Sequence, residues 1–330
     1  ILIRQCKNIT IKRNYYIQNL AGKGGAIALI GNSFFICLQS IFRNNKANQF
    51  GGAIMIHKSN TTYIKASLFS SNNAADGGHP QVDNMMRFVI KFNTFVKGSA
   101  REGGGMCLRR SHTIHISGSK YISNQAELHA GAINAISFVP NQNNYIFIEK
   151  SYFAKNSAKQ GGALFISNCK KVITITVAFL QNSAILKIRE SHAILSGLGG
   201  AVTIKQSVLI QITSCSFSNN IASTTGGALH ILEGHLISTR YSICNKNRAA
   251  IGGAIYILNS TVIINFSDKF TANRAISKHA MPDKVHHHGD GGAICMENIQ
   301  TAQNTKCEFS RNIAAGNGGG MSALHIISLN

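Results

Sequence analysis

Residues 51–76 read GGAIMIHKSNTTYIKASLFSSNNAAD, and the same pattern starts again at Gly77. The stretch opens on Gly-Gly-Ala, continues with apolar residues that alternate with others, and ends on Phe69-x-x-Asn72-x-Ala74. Similarity of a sequence to itself at a fixed interval of about 20–50 residues is typical of solenoids and other repeat architectures. The stretch therefore predicts that the 330-residue chain is built from copies of one unit.

Four positions of this unit recur at constant offsets along the chain. The first position of the glycine pair is occupied by Gly24, Gly51, Gly77, Gly103, Ala130, Gly161, Gly199, Gly226, Gly252, Gly291 and Gly318. The aromatic position, 18 residues later in most units, is occupied by Phe42, Phe69, Phe95, Tyr121, Phe153, Phe179, Phe217, Cys244, Phe270 and Phe309. Three residues further on stand Asn45, Asn72, Gly98, Asn124, Asn156, Asn182, Asn220, Asn247, Asn273 and Asn312, and Ala follows two residues later in every unit.

Each unit of 26–27 residues contains three short alternating stretches instead of a helical period. They are represented by Ile54-x-Ile56, Ile114-x-Ile116 and Ser40-x-Phe42. Three short strands separated by corners form a three-sided coil, and successive coils pair in parallel about 4.8 Å apart. Parallel crossover connections are almost always right-handed. The sequence therefore predicts an all-β fold, a right-handed parallel β-helix of about eleven to twelve coils.

The recurring residue types have architectural explanations. A glycine pair suits a corner that needs positive φ or a close approach of the backbone. The aromatic residues are expected to stack as one buried column, and the Asn side chains to form a second column joined by amide hydrogen bonds. We interpret these residues as the scaffold of the solenoid and not as a site. The eight Cys fall at unlike positions in their units, which favours free thiols that fill the core.

The repeat predicts a single domain over residues 1–330, interrupted by three insertions at residues 140–144, 183–198 and 274–290. The pattern starts and stops inside a unit. We therefore expect an excerpt of a longer chain, or a fibre segment whose ends contact neighbouring β-helical segments. No apolar run reaches about 18 residues, so no membrane span is predicted in this chain.

The combination of GGA[I/L/V] with FxxN resembles the repeat of the bacterial polymorphic outer-membrane proteins, which are similar to autotransporter adhesins. The resemblance is carried by GGAI with FRNN (Gly51 and residues 42–45), GGAL with FAKN (Gly161 and residues 153–156) and GGAI with FTAN (Gly252 and residues 270–273). It implies a β-helical stalk with a cell-surface, often adhesive, role. It implies no catalytic residue, because the motif is architectural.

Charge is the main functional signal in the sequence. The chain has 33 Lys and Arg against 12 Asp and Glu, a net charge of +21, which favours polyanionic partners such as an acidic polysaccharide. Basic residues cluster beside the FxxN corner, and the sequence predicts that they bind a polyanion: Arg43, Lys46, Lys97, Arg101, Lys155, Lys159, Lys246, Arg248, Arg274 and Arg311. Aromatic platforms for base stacking do not accompany them, which disfavours nucleic acid.

Three further kinds of site have candidate residues, each of which is also explained by an ordinary solvent-exposed surface. His286, His287 and His288 suggest a transition-metal site, since imidazoles bind zinc, nickel and copper. Glycosylation sequons occur at Asn8, Asn60, Asn259 and Asn265. Grouped carboxylates for glycoside hydrolysis are missing, so the sequence predicts no catalytic residue and no cofactor. For a polysaccharide lyase the candidates are Arg109, Arg110, His112 and His115.

These observations leave three functional hypotheses. The first is a structural and interaction protein, a β-helical stalk or fibre segment at the cell surface or outside the cell, adhesive through its basic face. The second is a polysaccharide-binding or polysaccharide-lyase-type β-helix enzyme. The third is an intracellular scaffold on an acidic polymer.

Overall fold

The computed structural model describes residues 1–137, 144–185, 197–276 and 289–329. All secondary structure in these ranges consists of strands, and every strand pairing is parallel. The predicted all-β parallel solenoid is thus confirmed. The handedness stays a prediction from the crossover rule. Among the described residues there is no helix with the length and apolarity to cross a membrane.

The first two strands of each coil belong to one 18-stranded sheet. Where they are separate, the first strands are β1 (Leu2–Arg4), β5 (Ile27–Ile30), β17 (Ile133–Ile136), β21 (Leu164–Ser167), β25 (Val202–Lys205) and β29 (Leu229–Leu232). The second strands are β2 (Asn8–Lys12), β6 (Phe34–Leu38), β18 (Tyr145–Glu149), β22 (Lys171–Ile175), β26 (Leu209–Thr213) and β30 (Leu236–Arg240). In the remaining coils both are joined into β9 (Ile54–Lys65), β11 (Pro80–Lys91), β14 (Met106–Ser117), β33 (Ile255–Phe266), β36 (Ile294–Thr305) and β39 (Met321–Leu329).

The third strand of each coil carries the aromatic position and forms an 11-stranded sheet. Its members are β3 (Tyr15–Ile17), β7 (Ile41–Arg43), β10 (Leu68–Ser70), β12 (Thr94–Val96), β15 (Lys120–Ile122), β19 (Tyr152–Ala154), β23 (Ala178–Leu180), β27 (Ser216–Ser218), β31 (Ile243–Asn245), β34 (Lys269–Thr271) and β37 (Glu308–Ser310).

A fourth short strand, not predicted, runs through the Ala position and forms the third side of the coil. Its members are β4 (Leu20–Lys23), β8 (Lys46–Phe50), β13 (Ser99–Glu102), β16 (Gln125–His129), β20 (Ser157–Ala158), β24 (Ser183–Ala184), β28 (Ile221–Ala222), β32 (Arg248–Ala249), β35 (Arg274–Ala275) and β38 (Ile313–Ala314). The three sides therefore differ from the three predicted strands. The first two strands share a sheet, which bends at residues of positive φ such as Lys58 and Arg110.

The two residues of the glycine pair have different roles. The first has positive φ, and the second allows a close approach of the backbone. Gly161 lies at the corner with φ of +60°. Ala130 occupies the same position with φ of 54°, so Ala is accepted there. A Cβ on Gly162 would lie 2.1 Å from the carbonyl oxygen of Gly200 in the next coil. The second position therefore excludes side chains because the backbones of successive coils meet there.

The aromatic residues form the predicted buried column. From Tyr16 to Phe217, rings of successive coils stack with centroids 4.7–5.1 Å apart. Cys244 pairs in register with Phe217 on one side and Phe270 on the other, and it interrupts the rings there. Stacking resumes between Phe270 and Phe309 at 4.9 Å. All eight Cys are free and six are buried, which confirms the predicted thiols in the core.

The Asn residues form the second predicted column, parallel to the first. Nδ2 of Asn156 donates to Oδ1 of Asn182 at 3.0 Å and to the Tyr121 carbonyl oxygen at 2.9 Å. The backbone N–H of Asn156 donates to the same Asn182 oxygen. This pattern repeats from coil to coil, so each buried amide is satisfied by the coils before and after it.

His79 takes the place of the missing Asn where the column is interrupted at Gly98. The imidazole of His79 is fully buried, with Nδ1 2.9 Å from Nδ2 of Asn72 and Nε2 3.2 Å from Oδ1 of Asn124. Since the Asn72 amide donates and the Asn124 oxygen accepts, His79 is neutral with its proton on Nε2. A Cβ on Gly98 would lie 2.6 Å from Nε2 of His79. The two departures from the repeat therefore compensate each other.

Candidate functional site

The ten basic residues predicted to bind a polyanion, here called the basic edge, lie on the outside of the coil around the corner between the third and fourth strands. Nine of them are exposed and Lys159 is half-buried. They do not form a single row, because they occupy different outward positions in their coils. Four have positive φ and stand just before the column of Asn side chains, here called the ladder Asn: Lys155, Lys246 and Arg311 precede an Asn, and Lys97 precedes Gly98, which replaces it. Lys46, Arg248 and Arg274 follow the ladder Asn, Arg101 and Lys159 follow the Ala, and Arg43 follows the aromatic residue.

The structure brings together the basic residues of the later coils more closely than those of the earlier ones. Arg248 and Arg274 are register partners on adjacent strands, β32 and β35. Their Cα atoms are therefore about 4.8 Å apart, the strand spacing. Lys246 precedes Arg248 by two residues on the same corner. In the described part of the chain neither arginine forms an ion pair, so their charges face solvent.

Arg101 is less available to bind a polyanion than its sequence position predicts. One guanidinium nitrogen lies 3.4 Å from Oδ1 of Asp76, whose side chain is almost fully buried. This carboxylate belongs to a cluster that the sequence analysis missed. Asp76, Glu102 and His129 occupy the same position, just before the glycine pair, in three successive coils.

Arg109 holds this cluster together from the first strand of its coil. Its Nη2 lies 3.0 Å from Asp76 and 2.8 Å from Glu102, and Glu102 also accepts from Nδ2 of Asn134 at 3.1 Å. His129, with Nδ1 3.8 Å from Glu102, and the Arg109 guanidinium together lower the pKa of Glu102 to about 2, against the opposing effect of burial. Glu102 is thus ionised at neutral pH, and Arg109 lies within hydrogen-bond distance of both Glu102 and Asp76. Asp76, Glu102 and His129 share one offset from the glycine pair, so the repeat already places them in register, but only the structure shows that Arg109 reaches both carboxylates.

The candidates for lyase chemistry do not converge on one site. Arg109 lies in the cluster just described, and Arg110 forms a bidentate ion pair with Asp83. His115 Nε2 lies 3.3 Å from Glu149, and the ring of His112 contacts Tyr145 edge-on. Because the arginines are held by carboxylates of neighbouring coils, their positions are explained by the packing of the coil.

The remaining predicted sites have different outcomes. His286, His287 and His288 lie outside the described residues, and within those residues no group of three or more His, Cys, Asp or Glu could hold a metal ion. The asparagines of the sequons at Asn8, Asn60 and Asn259 are exposed. Asn265, the fourth sequon asparagine, differs from these three. That side chain is 1 % exposed and donates from Nδ2 to Asn304 at 2.7 Å, so the folded chain does not present it.

Two buried histidines predict a pH dependence of stability. Burial lowers the pKa of His79 to about 3, and burial with the nearby Lys205 charge lowers that of His230 to about 3. Each folded-state pKa lies below the ordinary value of 6.5, so the unfolded chain binds the proton first and stability falls as the pH drops below 6.5. At pH 5 we expect a loss of about 2 kcal/mol for each histidine.

Hydrogen exchange, corrected for intrinsic rates, measures this loss in the coils of the two residues between pH 7 and pH 5. Carboxylates such as Glu102 contribute only below their unfolded pKa near 4.5, so the window from 6.5 to 5 reports mainly on histidine. The coil of Phe153, which has no buried histidine, is the internal control. Equal protection at both pH values in the His79 and His230 coils would contradict the prediction.

Comparison with known protein families identifies one repeat. The family model of the Chlamydia polymorphic membrane protein (Chlamydia_PMP) repeat matches residues 39–56 and residues 214–231. Both matches contain an FxxN corner and the following glycine pair, which are the elements that the resemblance rested on. Neither the comparison with curated proteins nor that with solved structures finds a match. Residues 39–56 and 214–231 are therefore similar to the polymorphic membrane protein repeat, and the chain folds as a β-solenoid, the architecture that this resemblance implied.

Proposed function

We propose, from its similarity to the polymorphic membrane protein repeat, that this chain is a β-helical stalk or fibre segment of a cell-surface or extracellular protein and adheres to polyanions through its basic edge. The repeat and the solenoid support the structural role in a surface protein. The single observation that supports adhesion is the exposure of nine of the ten cations of the basic edge on a chain of net charge +21.

The solenoid separates stability from binding at this edge. The residues that hold the coil together, such as Phe153 and Asn156, point inward and are fully buried. The neighbouring Lys155 points outward from the same corner with φ of 55°. Charges on the outside can therefore be changed without altering the two inner columns. An acidic polysaccharide fits this geometry, because a linear polymer can lie along the axis and contact cations from several coils.

The test is reversal of four exposed cations to Glu: Lys46, Lys97, Lys155 and Lys246. If the edge binds a polyanion, the variant should elute from a heparin column at clearly lower salt than the parent, and the affinity of both should fall steeply between low and physiological ionic strength. Exposed charges are screened over about 8–10 Å at physiological salt.

A control with the same change of net charge uses four exposed lysines from the opposite corners of the coil: Lys12, Lys58, Lys65 and Lys306. If binding is specific to the edge, this control should elute close to the parent. Coelution of the two quadruple variants would mean that the column senses net charge alone, and coelution of the edge variant with the parent would refute the proposal.

A further inference from the structure

One outward position of the fourth strand has an unusual composition in four successive coils. The residue after the ladder Asn is Ile221, Arg248, Arg274 and Ile313 in turn, here called the docking stripe. The four are register partners through β28, β32, β35 and β38. The two arginines are exposed, and the isoleucines that bracket them are 44 % and 47 % exposed. The stripe therefore presents two apolar side chains with two positive charges between them.

The surroundings of the stripe strengthen its positive charge. The outward position before the ladder Asn carries Asn219, Lys246, Ala272 and Arg311 in the same four coils, so neither position contains an acidic residue. The ion pair of Lys269 with Glu308, at 3.3 Å, lies on the third strand. A partner that complements the stripe must bring carboxylates to the centre and apolar groups to both ends.

The length of the stripe distinguishes between partner conformations. Three strand spacings of about 4.8 Å separate Ile221 from Ile313, or about 14 Å. On an α-helix, residues i, i+3, i+7 and i+10 share one face, and the first and last are separated by about 15 Å at 1.5 Å per residue. In an extended strand, residues on one face are about 6.6 Å apart, so four of them span about 20 Å. The helix matches the stripe and the strand does not.

We propose that the docking stripe binds an amphipathic α-helix of a partner protein, which lies along the solenoid axis with apolar residues at i and i+10 and carboxylates at i+3 and i+7. The carboxylates pair with Arg248 and Arg274, and the apolar residues cover Ile221 and Ile313. A polysaccharide would leave these isoleucines in water. This inference rests on the proposed function in one respect, since the docking stripe and the proposed polyanion site both lie on the basic edge.

The experiment uses a helical peptide of about 15 residues with Leu at i and i+10 and Glu at i+3 and i+7, measured by fluorescence anisotropy against the whole chain. A peptide of the same composition, with these residues moved to different helix faces, is the control. Ile221→Ser with Ile313→Ser should weaken binding of the first peptide about tenfold or more. Arg248→Glu with Arg274→Glu should abolish it, and a peptide with Lys in place of Glu should restore it.

The outcomes separate this proposal from its competitors. Equal binding of the two peptides would overturn it, as would failure of the Lys peptide to rescue the charge reversal. Binding to phosphatidylserine vesicles that is lost in the double Ser variant, without binding of the peptide, would assign the stripe to a membrane instead. The variant with Lys46, Lys97 and Lys155 reversed should elute from heparin at lower salt than the parent and keep the peptide. If it elutes with the parent and still binds the peptide, the proposed function fails while the docking stripe stands.

Discussion

Phe153→Ala should destabilise its region of the coil by about 3–5 kcal/mol, the usual cost of removing a buried phenylalanine from a packed core. The Phe153 ring is fully buried between Tyr121 at 4.7 Å and Phe179 at 5.1 Å. Its loss leaves a cavity and removes two stacked contacts. Because each coil contacts only its neighbours, the damage should be local. Hydrogen exchange and limited proteolysis around residues 121–179 measure it.

Two variants are matched controls for this prediction. Tyr121→Phe keeps the ring in the column and removes a buried hydroxyl that has no hydrogen-bond partner, so it should not destabilise the coil. Tyr152→Ala changes a half-buried side chain on the other face of the same strand. If Phe153→Ala preserves the protection of these coils as well as either control does, the ring column is not what stabilises the interior.

The second large effect is the coupling between His79 and Gly98. His79→Ala should cost about 2–4 kcal/mol, because it leaves Nδ2 of Asn72 and Oδ1 of Asn124 without the imidazole between them. Gly98→Asn should cost about 1–3 kcal/mol, because its side chain would overlap the His79 ring. In the double variant the Asn column regains an Asn at residue 98, and the glycine pair Gly77-Gly78 is again followed by Ala, as Gly51-Gly52 is. Its destabilisation should be smaller than the sum of the single effects by about 2–3 kcal/mol.

The coupling is measured by a double-mutant cycle from denaturant unfolding, followed by hydrogen exchange in the coils of Asn72 and Asn124. The carbonyl oxygen of Gly104 lies 2.2 Å from the position of a Cβ on Gly98, so it must move in the double variant. This movement keeps the double variant less stable than the parent, but the two substitutions together should still cost less than the sum of their separate effects. Additive effects of the two substitutions would show that His79 does not substitute for the missing Asn.

The two inner columns could be predicted because their evidence lies in the sequence itself. Phe69 and Phe95 stand at the same offset from their glycine pairs, and a constant offset in a parallel solenoid means registered neighbours. Alternation assigns each residue to the inside or the outside, since successive side chains of a strand point to opposite faces. The second residue of the glycine pair carried its own signal as well, because a side chain there would overlap the backbone of the next coil.

Contacts between side chains that stand at different positions of the repeat were decided by the tertiary structure. Arg109 reaches Asp76 across 33 residues, and His79 enters the interior to fill the space that Gly98 leaves. Arg248 and Arg274 each follow the Asn of their coil, so the repeat already places them in register, and the structure adds that both side chains are exposed. The period of the repeat determines where each residue stands in its own coil. Which side chains of neighbouring coils meet depends on their length, rotamer and charge, and these vary from one unit to the next.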